Sequence, residues 1–176
     1  MPKGPFLPTE FTATKFSTAA DKAEFGNHFL RFIESEWAQA HFTKDFYHRL
    51  SMCFGHIAHV DRPTFYETWF TSDQDRLRFL EKTLKWPCWG DPVYTFSDVE
   101  RAVQQEVRKR NYLARYQLRV AEAERAREME TLRRLEAKYR VSSNRTDYAG
   151  STTADLAIAE PSSPVIERTP VQTSLF

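Results

Sequence analysis

Four of the five histidines, His41, His48, His56 and His59, crowd one stretch of the chain, with Asp45 between the first two. On a helix turning about 100° per residue, His41, Asp45, His48, Met52 and His59 share one face, where imidazoles and a carboxylate could ligate a metal or pass a proton. Geometry limits both chemistries. His48 and His59 would stand about 16 Å apart along the axis and cannot share an ion. There is no His-Glu-x-x-His spacing, and neither a nucleophile signature nor a glycine-rich loop accompanies Asp45 and His48. The stretch is expected to be a polar helix face that titrates mildly near neutrality. A small metal- or histidine-dependent hydrolase is the rival reading, which bound metal would favour. The chain is read as non-enzymatic, with no catalytic residue, metal ligand or cofactor assigned.

A second cluster is basic. Arg108, Lys109, Arg110, Arg115 and Arg119 lie between Val107 and Ala121 with no acidic residue among them, interleaved with Asn111, Tyr112, Tyr116 and Gln117. A helix so built could track phosphates, with the tyrosines stacking on bases and an affinity that falls steeply with salt. It also fits a solvated helix face with both tyrosines half in the core. A third cluster is aromatic: Trp86, Trp89, Tyr94 and Phe96 surround Cys88 in a segment that Pro87, Gly90 and Pro92 keep out of any helix. Such a loop could present a partner-binding patch with Cys88 exposed. Packing over the body is the expected outcome, because an exposed cluster of that size invites aggregation.

The final pentapeptide, Gln172-Thr173-Ser174-Leu175-Phe176, contrasts with the polar stretch before it. Leu175 and Phe176 can each contribute roughly 1.5–3 kcal/mol gross by filling an apolar pocket, and the Gln172 amide can donate and accept hydrogen bonds that set register. The arrangement resembles the linear motif by which polymerases, clamp loaders, mismatch-repair proteins and initiator regulators bind the bacterial replication sliding clamp, Gln-x-Ser/Asp-Leu-Phe. Gln172, Ser174, Leu175 and Phe176 match, whereas Thr173 departs from the commoner leucine. The resemblance covers five of 176 residues. It implies the clamp as partner and an accessory, adaptor or inhibitor role in DNA replication or repair, without assigning the body to a family. Two other uses stay open: a carboxylate-reading contact of the PDZ type, which leaves Gln172 idle, and packing back onto the body.

These clusters must be positioned by helices, because strand signals are weak throughout. Thr18 with Asp21, Thr64 with Glu67, Ser72 with Asp75 and Ser97 with Glu100 each match the S/T-x-x-D/E start of a helix. The predicted fold is all-α: a small domain of four to five helices, one long charged C-terminal helix and a disordered tail. An extended arm, residues 1–17, offers Phe6, Leu7, Phe11 and Phe16 as anchors. The helical body covers 18–118. Its first helix is predicted over Thr18–Ala40, burying Phe25, Phe29, Phe32, Ile33 and Trp37. A second is expected over Thr43–Val60, with Phe46, Leu50, Cys53, Phe54, Ile57 and Val60 inward and Gly55 allowing a close helix contact; two shorter ones follow near 64–70 and 72–85.

From Ser97 to Arg140 there is no glycine or proline, so one helix of about 65 Å is predicted, its far half partly projecting. Its stripe of Val99, Val103, Val107, Ala114, Leu118, Ala121, Met129, Leu132, Leu135 and Tyr139 would need a partner helix. A homodimer through a weak coiled coil, with a passive tail, is therefore the structural alternative. Residues 141–176, rich in Ser, Thr, Ala and Pro, cannot repay ordering and are expected to be disordered up to the motif.

Composition bounds the rest. The 25 basic and 24 acidic side chains nearly cancel, so any affinity for DNA must be local. Cys53 and Cys88 are outside any CxxC spacing and are expected to be free thiols in a reducing compartment. No apolar run reaches membrane-span length, which predicts a cytoplasmic protein without membrane contact. The body's general resemblance to small proteins of phages and plasmids is in keeping with a mobile-element origin.

Overall fold

Thr18 opens the first helix by a reciprocal exchange: its hydroxyl accepts from the Asp21 amide at 3.1 Å, and the Asp21 carboxylate accepts from the Thr18 amide at 2.9 Å. The computed structural model describes residues 4–55 and 60–146, with side chains described as far as Arg140. Within that range there are six α-helices and no strand: α1 (Ala19–Glu34), α2 (Lys44–Phe54), α3 (Arg62–Phe70), α4 (Asp73–Leu84), α5 (Ser97–Lys109) and α6 (Tyr112–Thr146). The all-α expectation holds. Thr43 and Ser72 cap α2 and α4 by accepting from Phe46 and Asp75 amides. No described helix is long and apolar enough to cross a membrane. The chain divides into two units, Met1–Thr131 and Leu132–Phe176, and α6 contributes to both.

Several boundaries differ from the sequence reading. Helix α1 stops at Glu34 rather than Ala40, and its end is a Schellman motif: Trp37 N–H donates to Phe32 O at 2.9 Å and Glu36 N–H to Ile33 O at 3.1 Å. Glu36 takes the left-handed conformation, and the Trp37 ring meets the Phe32 ring at 5.2 Å, the apolar contact that usually accompanies this motif. Helix α2 stops at Phe54, because Gly55 is its left-handed C-cap at φ 54°. The nearest group to Gly55 is a side chain rather than a helix backbone. It is the indole of Trp86, so close that a Cβ on Gly55 would sit 2.3 Å from its ring. Of the apolar stripe expected beyond Gly55, Ile57 lies outside the described residues, as do His56 and His59 of the histidine cluster, and Val60 is exposed.

Helix α3 is capped by Asp61, which accepts from the Thr64 amide at 3.0 Å, rather than by Thr64. The predicted helix over 97–140 breaks at Arg110 and Asn111. Asn111 adopts φ 54°, a left-handed conformation that asparagine tolerates without glycine's help, and α6 restarts with Arg115 N–H donating to Asn111 O. The break changes which residues face inward. Tyr112 and Tyr116 are buried in place of Ala114 and Leu118, which are exposed.

An aromatic core fills the first unit. Phe70 meets Phe79 at 4.8 Å, Phe32 at 4.9 Å and Trp37 at 5.0 Å between ring centroids, in edge-on and stacked arrangements that favour a single packing. The arm lies against α1 through Phe6 and Phe11, both buried, while Leu7 and Phe16 are exposed. Asn27 reads the arm's backbone on both sides, accepting from Phe6 N–H at 3.1 Å and donating to Phe6 O at 2.9 Å. Gly26 lets the Phe6 ring approach so closely that a Cβ would be 2.7 Å from it.

The fully buried Thr83 hydroxyl has no hydrogen-bond partner among the described residues. Thr83→Val keeps the shape and removes the orphaned polar group, so it should raise stability by ~0.5–1 kcal/mol. Thermal unfolding followed by circular dichroism reads this, and a lower Tm would contradict it.

Candidate functional site

The aromatic loop between α4 and α5 is held from both sides. Asp91 builds its turn: Asp91 O accepts from Tyr94 N–H at 2.9 Å and Thr95 N–H at 3.0 Å, and its carboxylate accepts from Val93 N–H at 2.9 Å. The Ser97 hydroxyl donates to Gly90 O at 2.8 Å, and the Gln104 amide donates to Trp86 O at 2.8 Å and Thr83 O at 2.9 Å. From α1, the Lys22 ammonium enters a fully desolvated position and uses all three of its protons, on Pro92 O (3.0 Å), Thr95 O (2.9 Å) and the Asp98 carboxylate (2.8 Å). Asp98 in turn accepts from Val99 N–H at 2.8 Å and from Thr12 N–H of the arm at 2.9 Å. One buried ion pair therefore ties arm, α1, loop and α5 together.

With its backbone fixed, the loop divides its side chains. Cys88 is buried, and Trp86 and Phe96 are half-buried against the core. Trp89 and Tyr94 are 75% and 83% exposed. The loop thus packs on the body and still presents two large rings. Beneath them, Glu100 of α5 is buried; desolvation pushes its carboxyl up to about 7, although the Trp86 and Cys88 side chains donate toward it. Asp98 also raises it, and Arg101 opposes that. The Cys88 thiol has one proton and two acceptors in reach, the Glu100 carboxyl and Trp86 O at 3.4 Å. Burial lifts this thiol to about 11 and lifts the Cys53 thiol well above its ordinary range, so both stay protonated at neutral pH and neither is an activated nucleophile. Both cysteines are free.

A cleft of about 450 Å³ opens next to this region, bordered by Phe16, Lys22, His48, Arg49, Met52 and Phe96. A smaller recess of about 300 Å³ lies over Glu100, bordered by Met52, Trp86, Trp89, Tyr94 and Phe96. Met52, Cys53 and Phe96 border both.

The basic segment is largely matched by acids from other elements. Arg110 pairs with Glu34 of α1 and, at 3.0 Å, with Glu106. Arg119 bridges Glu36 at 2.7 Å and Asp73 at 3.0 Å, and Lys109 pairs with Glu106 at 3.0 Å while staying largely exposed. Arg108 donates to Leu84 O at the end of α4, and Arg115 lies over the Tyr112 ring at 5.1 Å. Arg108 and Arg115 have no carboxylate partner among the described residues. Tyr112 and Tyr116 offer no face to a base: both are buried, and the Tyr116 hydroxyl accepts from the Trp37 indole N–H at 2.6 Å. The segment works chiefly as a fastener between α1, α4 and α6.

The histidine face is also divided. His41, Asp45 and His48 are exposed, and among the described residues no three His, Cys, Asp or Glu side chains are grouped to hold a metal. The histidine with a defined partner is His28, absent from the expected stripe. Its ring stacks on Phe46 at 4.4 Å, and its Nε2 must carry the proton, because it lies 2.7 Å from the His41 carbonyl oxygen, which can only accept. Burial holds this imidazole below its ordinary range. Gln172, Ser174, Leu175 and Phe176 lie outside the described residues.

Compared with known proteins, the chain matches no family model, no curated protein and no solved structure. Lys22 and Glu100 escaped the sequence reading, although a signal was present. Lys22 precedes Phe25 and Phe29 by three and seven residues, and Glu100 precedes Val103 and Val107 by the same steps, so each is a charged residue on an apolar stripe.

Proposed function

We propose that this protein is a cytoplasmic, non-enzymatic accessory of bacterial DNA replication or repair that engages the sliding clamp through Gln172, Ser174, Leu175 and Phe176. The observation that carries the reading is the pentapeptide itself: an amide, a small polar residue and a terminal apolar pair in the order that clamp ligands use. The charged helix and the Ser-, Thr- and Pro-rich segment after it serve as the tether, and the aromatic body is the module that the tether brings to the clamp. Competition with other clamp ligands follows from sharing their groove, so the protein acts either as an adaptor or as an inhibitor. Arg108 and Arg115, lacking carboxylate partners among the described residues, are the basic side chains best placed to add a contact with the encircled DNA.

The test is a binding titration of purified clamp against the full chain and Phe176→Ala. Losing the terminal ring should weaken binding about tenfold, the part of its burial that survives ordering costs. Equal affinity would remove the reading. Exposed Leu118, Met129, Leu132, Leu135 and Tyr139 on α6 favour a second reading, pairing with another helix. Sedimentation of the full chain over a range of concentrations separates the two, because helix pairing makes the apparent mass concentration-dependent and Phe176→Ala leaves it unchanged.

A further inference from the structure

The recess over Glu100 combines features that the clamp reading does not use. Its walls are π surfaces: Trp89 and Tyr94 are exposed, and neither is engaged by another ring or by a cation of the described residues. Glu100 borders it too; the residue is 6% exposed and has no cationic partner within ion-pair distance among the described residues. The nearby cations are occupied. Lys22 is spent on the loop carbonyls and Asp98, and Arg101, exposed, donates to the Ser97 hydroxyl at 3.4 Å. A buried carboxyl beside aromatic rings attracts positive charge: the ring faces carry negative quadrupole potential, and Arg101 acts on the carboxylate only from beyond ion-pair distance.

We propose that the recess bordered by Met52, Trp86, Trp89, Tyr94 and Phe96 over Glu100 is a binding site for an alkylated ammonium cation.

Hydration selects the class. A metal ion or an unsubstituted ammonium is strongly hydrated and needs several oxygen acceptors to replace its shell, whereas the recess supplies one carboxyl among mainly aromatic side chains, its Thr95 hydroxyl already donating to Asp91 O. A methylated ammonium presents an apolar skin over a delocalised positive charge. It loses little hydration on entry and meets ring faces, the Met52 side chain and one carboxylate. At about 300 Å³, the low end of ligand-pocket sizes, the recess has ample room for such a headgroup. The cation also compensates the buried charge, so its affinity should rise as pH increases through about 7 and Glu100 ionises.

Two sources carry this chemistry, a choline-type small molecule or headgroup and a methylated lysine on another protein. Isothermal titration of the full chain at constant ionic strength, with tetramethylammonium chloride as the probe and neopentyl alcohol as its uncharged isostere, tests the site. Tetramethylammonium should bind in the millimolar range and neopentyl alcohol at least about tenfold more weakly. Choline and N-acetyl-trimethyllysine amide then identify the source by which binds more tightly. Glu100→Gln and Trp89→Ala should each reduce affinity about tenfold, and Trp89→Phe, which keeps a ring face, should retain most of it. Circular dichroism melts confirm that each variant is folded. Because Trp89 is largely exposed, its variants keep the test informative if Glu100→Gln alters folding. Absence of binding, equal binding of the uncharged isostere, or an affinity indifferent to both Trp89→Ala and Glu100→Gln would overturn the proposal. Loss of clamp affinity in Phe176→Ala leaves these outcomes untouched.

Discussion

Lys22→Ala should lower the unfolding free energy by about 3–5 kcal/mol, a large share of the 5–15 kcal/mol typical of a domain. The ammonium is fully desolvated and has three acceptors. Its removal leaves two loop carbonyls without this donor and the largely buried Asp98 carboxylate without its cation, with only the Val99 and Thr12 amides donating to it, and opens a cavity where the stem packed. Most of the loss should come from the abandoned partners, so Lys22→Met, which restores the stem, should recover only the packing part. Adding Asp98→Asn should recover more, since the charge left behind is then gone. Urea denaturation of the four proteins reads these differences. A loss below about 1 kcal/mol for Lys22→Ala would show that the pair is a surface-type contact rather than the joint between arm, α1, loop and α5.

Glu100→Gln should stabilise the protein at pH 8 by roughly 2–3 kcal/mol and leave it nearly unchanged at pH 4.5. Burial raises the carboxyl from about 4.5 in the unfolded chain to about 7 in the fold. Between those values the folded state holds a proton that the unfolded state has released. A raised pKa thus contributes stability that is intact below about 4.5 and is lost as pH climbs through about 7. The groups facing Glu100 are the Trp86 and Cys88 donors, the Cys53 thiol, Asp98 and Arg101. Glutamine still accepts from those donors and never ionises, so the variant's stability curve should diverge upward from the parent's across that window. His28 works in the opposite direction: its lowered pKa means that stability falls as pH drops below about 6.5. That slope is common to both proteins and cancels in the difference. Parallel curves from pH 4.5 to pH 8 would refute the assignment. The two effects share an origin, because the burial that makes ionised Glu100 costly also leaves it in need of a cation.

Parts of this architecture were legible in local spacing. Thr18 and Ser72 cap helices where the S/T signals place them, Thr43 caps the second helix at its expected start, and Phe25, Phe29, Phe32 and Ile33 are buried as their spacing predicts. Two start signals misled. Asp61 captures the cap of α3 from Thr64, three residues upstream, and Glu100 turns inward instead of completing a capping box with Ser97. The break at Asn111 was hidden because no glycine or proline marks it. A single left-handed asparagine suffices when the burial of Tyr112 and Tyr116 compensates the local cost.

The sequence by itself determined that the chain is helical and which faces are apolar, because helix periodicity and capping are encoded over a few neighbouring positions; the proposed clamp motif is equally local. Only the tertiary structure decided the state of the charges. Lys22 finds Asp98 across 76 positions, Arg119 finds Glu36 across 83, and Glu100 is left beneath Trp89 and Tyr94 with no cation paired among the described residues. Whether a charged group is solvated, paired or stranded depends on what distant segments place beside it, and desolvation in that assembled surrounding turns an ordinary lysine into a joint and an ordinary glutamate into a candidate receptor.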